Sequence, residues 1–159
     1  MTARDADSPG IRFPPPLVYV APMALGFLFH RAWPVGIGPT PIRPVIVMVG
    51  WALIALWASI QLPAYYLFYR ARTSLMPSQP ATMVVEVGPY RWSRNPMYVG
   101  LTVLSIGVAF VFNALWPLVL LPVAVLVTDR YIIPREEQYL ERAFGEAYRE
   151  YRSRVRRWL

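Results

Sequence analysis

No charged residue falls between Arg43 and Arg70, and none falls between Arg94 and Asp129. Runs of that length exclude most soluble designs, because a surface helix needs a polar face. A helix needs about 20 predominantly apolar residues to cross a hydrocarbon core roughly 30 Å thick. The first run supplies a span over 45–68. The second holds 34 uncharged residues and as one helix would be roughly 51 Å long, too long for one crossing. Asn113 and Pro117 provide a break, since Asn suits a helix end and Pro a helix start. The second run therefore reads as a tight hairpin, 96–112 and 116–133. A shorter apolar stretch, 17–33, precedes them, after a polar opening (Arg4, Asp5, Asp7, Arg12) that does not read as a cleaved signal.

The expected fold is an all-α integral membrane protein with about four transmembrane helices. Two N-terminal spans occupy 14–69, a cytoplasmic connection 70–94, the helical hairpin 95–133 and a cytoplasmic C-terminal helix 134–159. That last helix is amphipathic, with Leu140, Phe144, Tyr148, Tyr151, Val155 and Trp158 on one face and Gly145 as a point of bending. Composition agrees: 56% of residues are hydrophobic and 16% charged, against roughly 45–50% and 25% in soluble domains.

All 16 basic residues are arginine and the net charge is +7. They flank the apolar runs, so anionic membrane lipids are the expected partners rather than nucleic acid. Four spans put 14 arginines on one side, leaving Arg31 and Arg43 on the other. By the positive-inside rule both termini face the cytoplasm, and a bacterial or archaeal cell membrane is the expected location. With no cysteine and a single histidine, His30, disulfides, thiolate nucleophiles and multi-histidine metal sites are excluded, and no metal is expected.

Two stretches carry candidate chemistry. In the first, 87–100, Gly88-Pro89 makes a turn, Asn95 can cap a helix that opens at Pro96, and Arg91 and Arg94 add charge at an anion-attracting helix start. Tyr90 and Tyr98 offer ring faces to a cation or a base. Gly100 permits close approach of another backbone. The second stretch opens at Arg135 and carries Glu136 and Glu137, whose carboxylates can accept bonds from hydroxyl or ammonium groups. Each also has a structural reading, as a juxtamembrane anchor and as an acidic first helical turn. The hairpin returns its chain to the face it left, so both stretches emerge together beside the lipid.

The order Gly-Pro-Tyr-Arg, then Arg-Asn-Pro-Met-Tyr-x-Gly, then some forty residues later Glu-Glu-x-x-Leu-x-x-x-Phe-Gly-x-x-Tyr-x-x-Tyr, resembles the isoprenylcysteine carboxyl methyltransferases and related phospholipid methyltransferases. The resemblance covers 82–158. It implies S-adenosyl-L-methionine bound at the cytoplasmic face and a lipophilic small-molecule acceptor entering from the bilayer. Cofactor contacts would come from Thr82, Met83, Val84, Val85, Tyr90, Arg94, Asn95, Pro96, Met97, Tyr98, Gly100 and Glu136. The chain departs from the family pattern at Asn95, where a histidine is usual. It also departs at Ile132, where eukaryotic members place a substrate-contacting arginine. For catalysis, Arg130 is the candidate to hold an acidic headgroup and Glu137 the candidate base for an amine. A carboxylate acceptor is already ionised and needs no base. The alternatives are an NADPH-dependent reductase of the sterol-reductase type and a small non-enzymatic membrane subunit.

The arginine asymmetry predicts that reporter fusions at Leu159 and at Gly38 report opposite sides of the membrane. Both on one side would exclude the four-span arrangement.

Overall fold

The computed structural model describes residues 10–11, 13–70 and 86–159, and these form only helices and turns. α1 is Leu17–Ala32 and α2 is Arg43–Arg70, entered through a 3-10 turn, Thr40–Ile42. A second 3-10 turn, Gly88–Arg91, precedes α3, Pro96–Val111. α4 is Leu115–Val127, α5 Ile133–Phe144 and α6 Glu146–Arg154.

The hairpin break lies where the composition places it. Asn113 adopts φ 48°, the left-handed conformation that Asn tolerates better than most residues. Ala114 N–H donates to Ala109 O at 2.9 Å and Asn113 N–H to Phe110 O at 2.9 Å, the paired bonds that close a helix C-terminus in a Schellman motif. The Asn113 side chain also ties this turn to the α1–α2 loop. Its Oδ1 accepts from Ile37 N–H at 3.0 Å and from Gly38 N–H at 3.4 Å. Leu115 N–H donates to Val35 O at 3.0 Å and the Trp116 indole to Trp33 O at 2.8 Å.

The end of the hairpin departs from expectation. The fourth helix does not stop near residue 133 to let a separate cytoplasmic helix begin. Residues 115–144 form one unbroken helical run, passing through a π-helical turn, Thr128–Ile132, between α4 and α5. Pro134 gives the reason. It has no N–H to donate one turn back and its ring crowds the carbonyl of Arg130. A wider turn just upstream accommodates both defects without ending the helix. The division falls instead at Gly145, whose φ of 55° suits glycine, and α6 begins there.

Packing pairs the elements across the chain. α2 lies along α3 and α1 along α4, more closely than the two hairpin arms lie along each other. Glycines set both crossings. A Cβ on Gly50 would sit 2.7 Å from Val111 N and 2.8 Å from Gly107 O, and one on Gly26 would sit 2.6 Å from Pro117 Cα. Small residues that admit such approach are the usual solution where lipid leaves no hydrophobic drive between helices. At the opposite end from Asn113, the Tyr19 hydroxyl meets Thr102 Oγ1 at 3.1 Å. Tyr19, Tyr98, Leu121, Ala124, Ile132 and Ile133 bury together there. The outward faces are apolar, with Met48, Trp51 and Leu62 on α2 and Val119, Val123 and Leu126 on α4 all exposed. Two helices, Thr40–Pro63 and Leu115–Phe144, are long and apolar enough to cross a membrane. Leu17–Ala32 and Pro96–Val111 are apolar but shorter.

Gly50→Ala and Gly26→Ala should each lower stability by about 1–3 kcal/mol, the usual cost of overpacking, because the added methyl meets backbone rather than a movable side chain. Thermal unfolding in detergent measures this. Unchanged midpoints for both would contradict the close crossings.

Candidate functional site

The two motif stretches meet at the end of the bundle away from Asn113. Tyr98, in the first turn of α3, donates its hydroxyl to Glu136 Oε1 in α5 at 2.7 Å. Two other bonds fix the backbone of that turn, since Tyr98 O accepts from Thr102 Oγ1 at 2.9 Å and from the Tyr19 hydroxyl at 3.4 Å. Pro96 opens α3 at its first position, as expected. Asn95 precedes it, but its side chain does not cap the helix. The amide turns away and donates to Arg157 O at 2.9 Å, while Asn95 N–H donates to Ser93 Oγ at 3.0 Å. A carbonyl supplied by the chain terminus has replaced the expected local bond.

Arg94 points into the protein. Its side chain is 10% exposed and lies against Glu137, with Nη1 3.0 Å from Oε1. Its Nε is buried with no hydrogen-bond partner. Arg157 grips the same carboxylate from the other side, through Nη2 to Oε2 at 2.7 Å and Nε to Oε1 at 3.3 Å. Glu137, expected as a proton acceptor, therefore has both oxygens engaged by guanidinium groups. Its hydrogen bonds hold the Arg157 guanidinium above its ordinary value, so the cation persists at any working pH.

Residues 155–159 act as a strap over this cluster. Arg94 N–H donates to Arg156 O at 2.9 Å and Ser93 Oγ to Arg157 O at 3.3 Å. The Trp158 indole donates to Asp129 Oδ1 at 2.9 Å. From α6, the Tyr151 hydroxyl donates to Tyr90 O at 2.8 Å. Burial raises the Tyr90 phenol well above its ordinary value, and the nearby Tyr151 and Glu136 add to the rise. Burial does the same to Tyr148, helped by Glu137 and opposed by Arg94. All of these tyrosines stay neutral near pH 7 and remain hydrogen-bond donors.

Tyr90, Arg94, Asn95, Pro96, Tyr98 and Glu136 are thus brought to one end of the bundle. Met97 lies in the same turn, and Gly100 faces α2, where a Cβ would sit 2.5 Å from Gln61 Oε1. Thr82, Met83, Val84 and Val85 lie outside the described residues. Arg130 points outward, with its side chain 81% exposed and Nε 3.2 Å from Asp129 Oδ2. Ile132 is fully buried in the cluster that holds Tyr98. Four residues that sequence reasoning passed over take part: Asp129, Ser93, Arg157 and Gln61. Arg157 ends a basic run that reads as solvated, and nothing in the run distinguishes it. An apolar groove of about 600 Å³ lies between α3 and α4, lined by Ile106, Leu118, Leu121, Pro122, Val125 and Leu126. Its lining comes from α3 and α4. Ile106, Leu121 and Val125 also pack in the cluster around Tyr98, so the groove leads toward the site.

Over 35 residues the chain is 54% identical to an uncharacterized protein of Haemophilus influenzae. The aligned stretch is 22% of this chain and 56% of that relative's length. No solved structure matches. A family model described as phospholipid methyltransferase matches residues 45–147, a span that takes in nearly all of α2, the whole of α3, α4 and α5, the first motif stretch and the glutamate pair of the second. With most of its length inside that match, the chain belongs to the phospholipid methyltransferase family.

Proposed function

We propose that this chain is an S-adenosylmethionine-dependent methyltransferase acting on a lipophilic acceptor in a membrane, and that all four apolar helices cross it with both termini cytoplasmic. The Tyr98–Glu136 hydrogen bond carries the reading. It joins the two motif stretches at the mouth of an otherwise apolar bundle. Nothing in the fold or in the comparisons favours the reductase or non-enzymatic alternatives.

The residues present suit such a cofactor. A zwitterionic amino acid joined to adenosine asks for a cation, a carboxylate and aromatic surface. Arg94 offers a buried guanidinium whose Nε lacks a partner. Glu136 offers a half-buried carboxylate with Tyr98 already on one oxygen. Tyr90 and Tyr98 offer rings. When bound, S-adenosylmethionine supplies an activated methyl group: the acceptor's lone pair forms the new bond, the C–S pair stays on sulfur, and any acceptor proton leaves to water. The protein's part is mainly to align groups and exclude water. Glu136 belongs to binding, because strong anionic stabilisation of a sulfonium would oppose its loss of charge. Glu137 balances Arg94, which is 10% exposed, and Arg157, which is one-third exposed, and both its oxygens are engaged. Arg130, exposed beside the membrane surface, remains the group to meet an acidic headgroup. The apolar groove between α3 and α4 accepts the acceptor's hydrocarbon part.

Glu136→Ala should weaken binding of S-adenosylhomocysteine by about 1–3 kcal/mol, the scale for hydrogen bonds to a charged group. His30→Ala, at the far end, should leave it unchanged. Calorimetric titration of purified protein decides this, and normal affinity in folded Glu136→Ala would remove the assignment.

Glu137→Gln should act differently and cost about 3 kcal/mol of stability, because it leaves the almost fully buried Arg94 without its counter-charge. Denaturant unfolding in detergent measures it, and a loss under about 1 kcal/mol would mean that the pair is effectively solvated.

A further inference from the structure

Gln61 stands in the middle of α2's uncharged run and is 1% exposed. Its Oε1 has no hydrogen-bond partner. Four residues earlier on the same helical face, the Trp57 indole N–H is also buried and without a partner. Both side chains converge on Gly100: a Cβ there would lie 2.5 Å from Gln61 Oε1 and 3.3 Å from Trp57 Cδ1. Gly100 is two residues beyond Tyr98, the residue that holds Glu136. One turn after Gln61, the Tyr65 phenol lies near enough to Tyr90 to perturb it. An orphan donor and an orphan acceptor are thus fixed side by side on α2, against Gly100 of α3.

Polar groups inside an apolar span are costly, and those that persist face the protein interior and mark paths for substrates. Gln61 Oε1 and the Trp57 indole N–H have no hydrogen-bond partner, so neither atom pins α2 to α3 through a hydrogen bond. Resting on the methyltransferase reading above, we propose that Gln61 and Trp57 form the polar station on α2 that receives the hydrogen-bonding headgroup of the methyl acceptor alongside Gly100. The indole N–H donates to the headgroup. The Gln61 amide accepts from it or, turned over, donates to it. The pair carries no charge, so it orients the headgroup without stabilising an ion. Neither residue lies in the motif stretches, and their part is to position the acceptor's reacting atom.

The test uses full-length protein in detergent with Gln61→Leu and Trp57→Phe. Dodecylamine, dodecanoic acid and 4-dodecylphenol serve as acceptor probes, titrated in the presence of saturating S-adenosylhomocysteine. Gln61→Leu should weaken the probe that wild type binds best by at least tenfold. Trp57→Phe should weaken it by a smaller factor. S-adenosylhomocysteine affinity should stay within twofold of wild type in both. The thermal midpoint of Gln61→Leu should be unchanged or higher, since an unpartnered buried acceptor has been removed. Unaltered probe binding, an equal loss of S-adenosylhomocysteine binding, or a sharp fall in the thermal midpoint would each overturn the assignment. Wild-type protein that binds no S-adenosylhomocysteine would instead overturn the methyltransferase reading on which it rests.

Discussion

Glu137 sits between two guanidinium groups, Arg94 and Arg157, and is itself almost fully buried. Removing Glu137 and Arg94 from water is costly unless each is paired and hydrogen-bonded. Here the pairing joins three parts of the chain that share no local structure: the turn before α3, the N-terminal half of α5, and the C-terminal strap. The hairpin alone would leave the residues at its open end splayed apart. The ion cluster gathers them. Once Arg94 is held, Asn95 and Pro96 set the direction in which α3 begins, and Tyr98 comes within reach of Glu136.

The rest of the bundle is held by shape. Gly50 meets Gly107 and Val111, and Gly26 meets Pro117. These contacts bring α2 onto α3 and α1 onto α4 at distances that a side chain would forbid. They leave large apolar side chains pointing outward, where a hydrocarbon solvent accepts them and water would not. Among the described residues, polar cross-links between helices lie at the two ends: Asn113 and Trp116 at one, and Tyr19, Tyr98 and the ion cluster at the other. Gln61 and Trp57 depart from that division, being polar, buried and unpartnered.

The π-turn, Thr128–Ile132, links these two regimes. It lets one helix pass from an apolar half into a charged half despite Pro134. The turn buries Ile132 and presents Asp129 to Trp158 and Arg157. The strap is therefore anchored on the same helix that carries Glu136 and Glu137, and any movement of one is felt by the other.

What the sequence determined by itself is what depends on neighbours in the chain. Uncharged runs mark the apolar helices because hydropathy is a local sum. Asn113 and Pro117 mark the hairpin break because they act on their own backbone. Recurring apolar positions mark the amphipathic end, and the hairpin's even return brings Tyr98 and Glu136 to one face. Tertiary structure alone decided which of many arginines meets Glu137, since Arg154, Arg156 and Arg157 are alike in local character and only the docked strap separates them. It also decided that Asn95 reaches for Arg157 O instead of capping its own helix, and that α2 pairs with α3 while α1 pairs with α4. Those outcomes rest on contacts dozens of residues apart, where several partners of equal chemistry compete and only the packed shape selects among them.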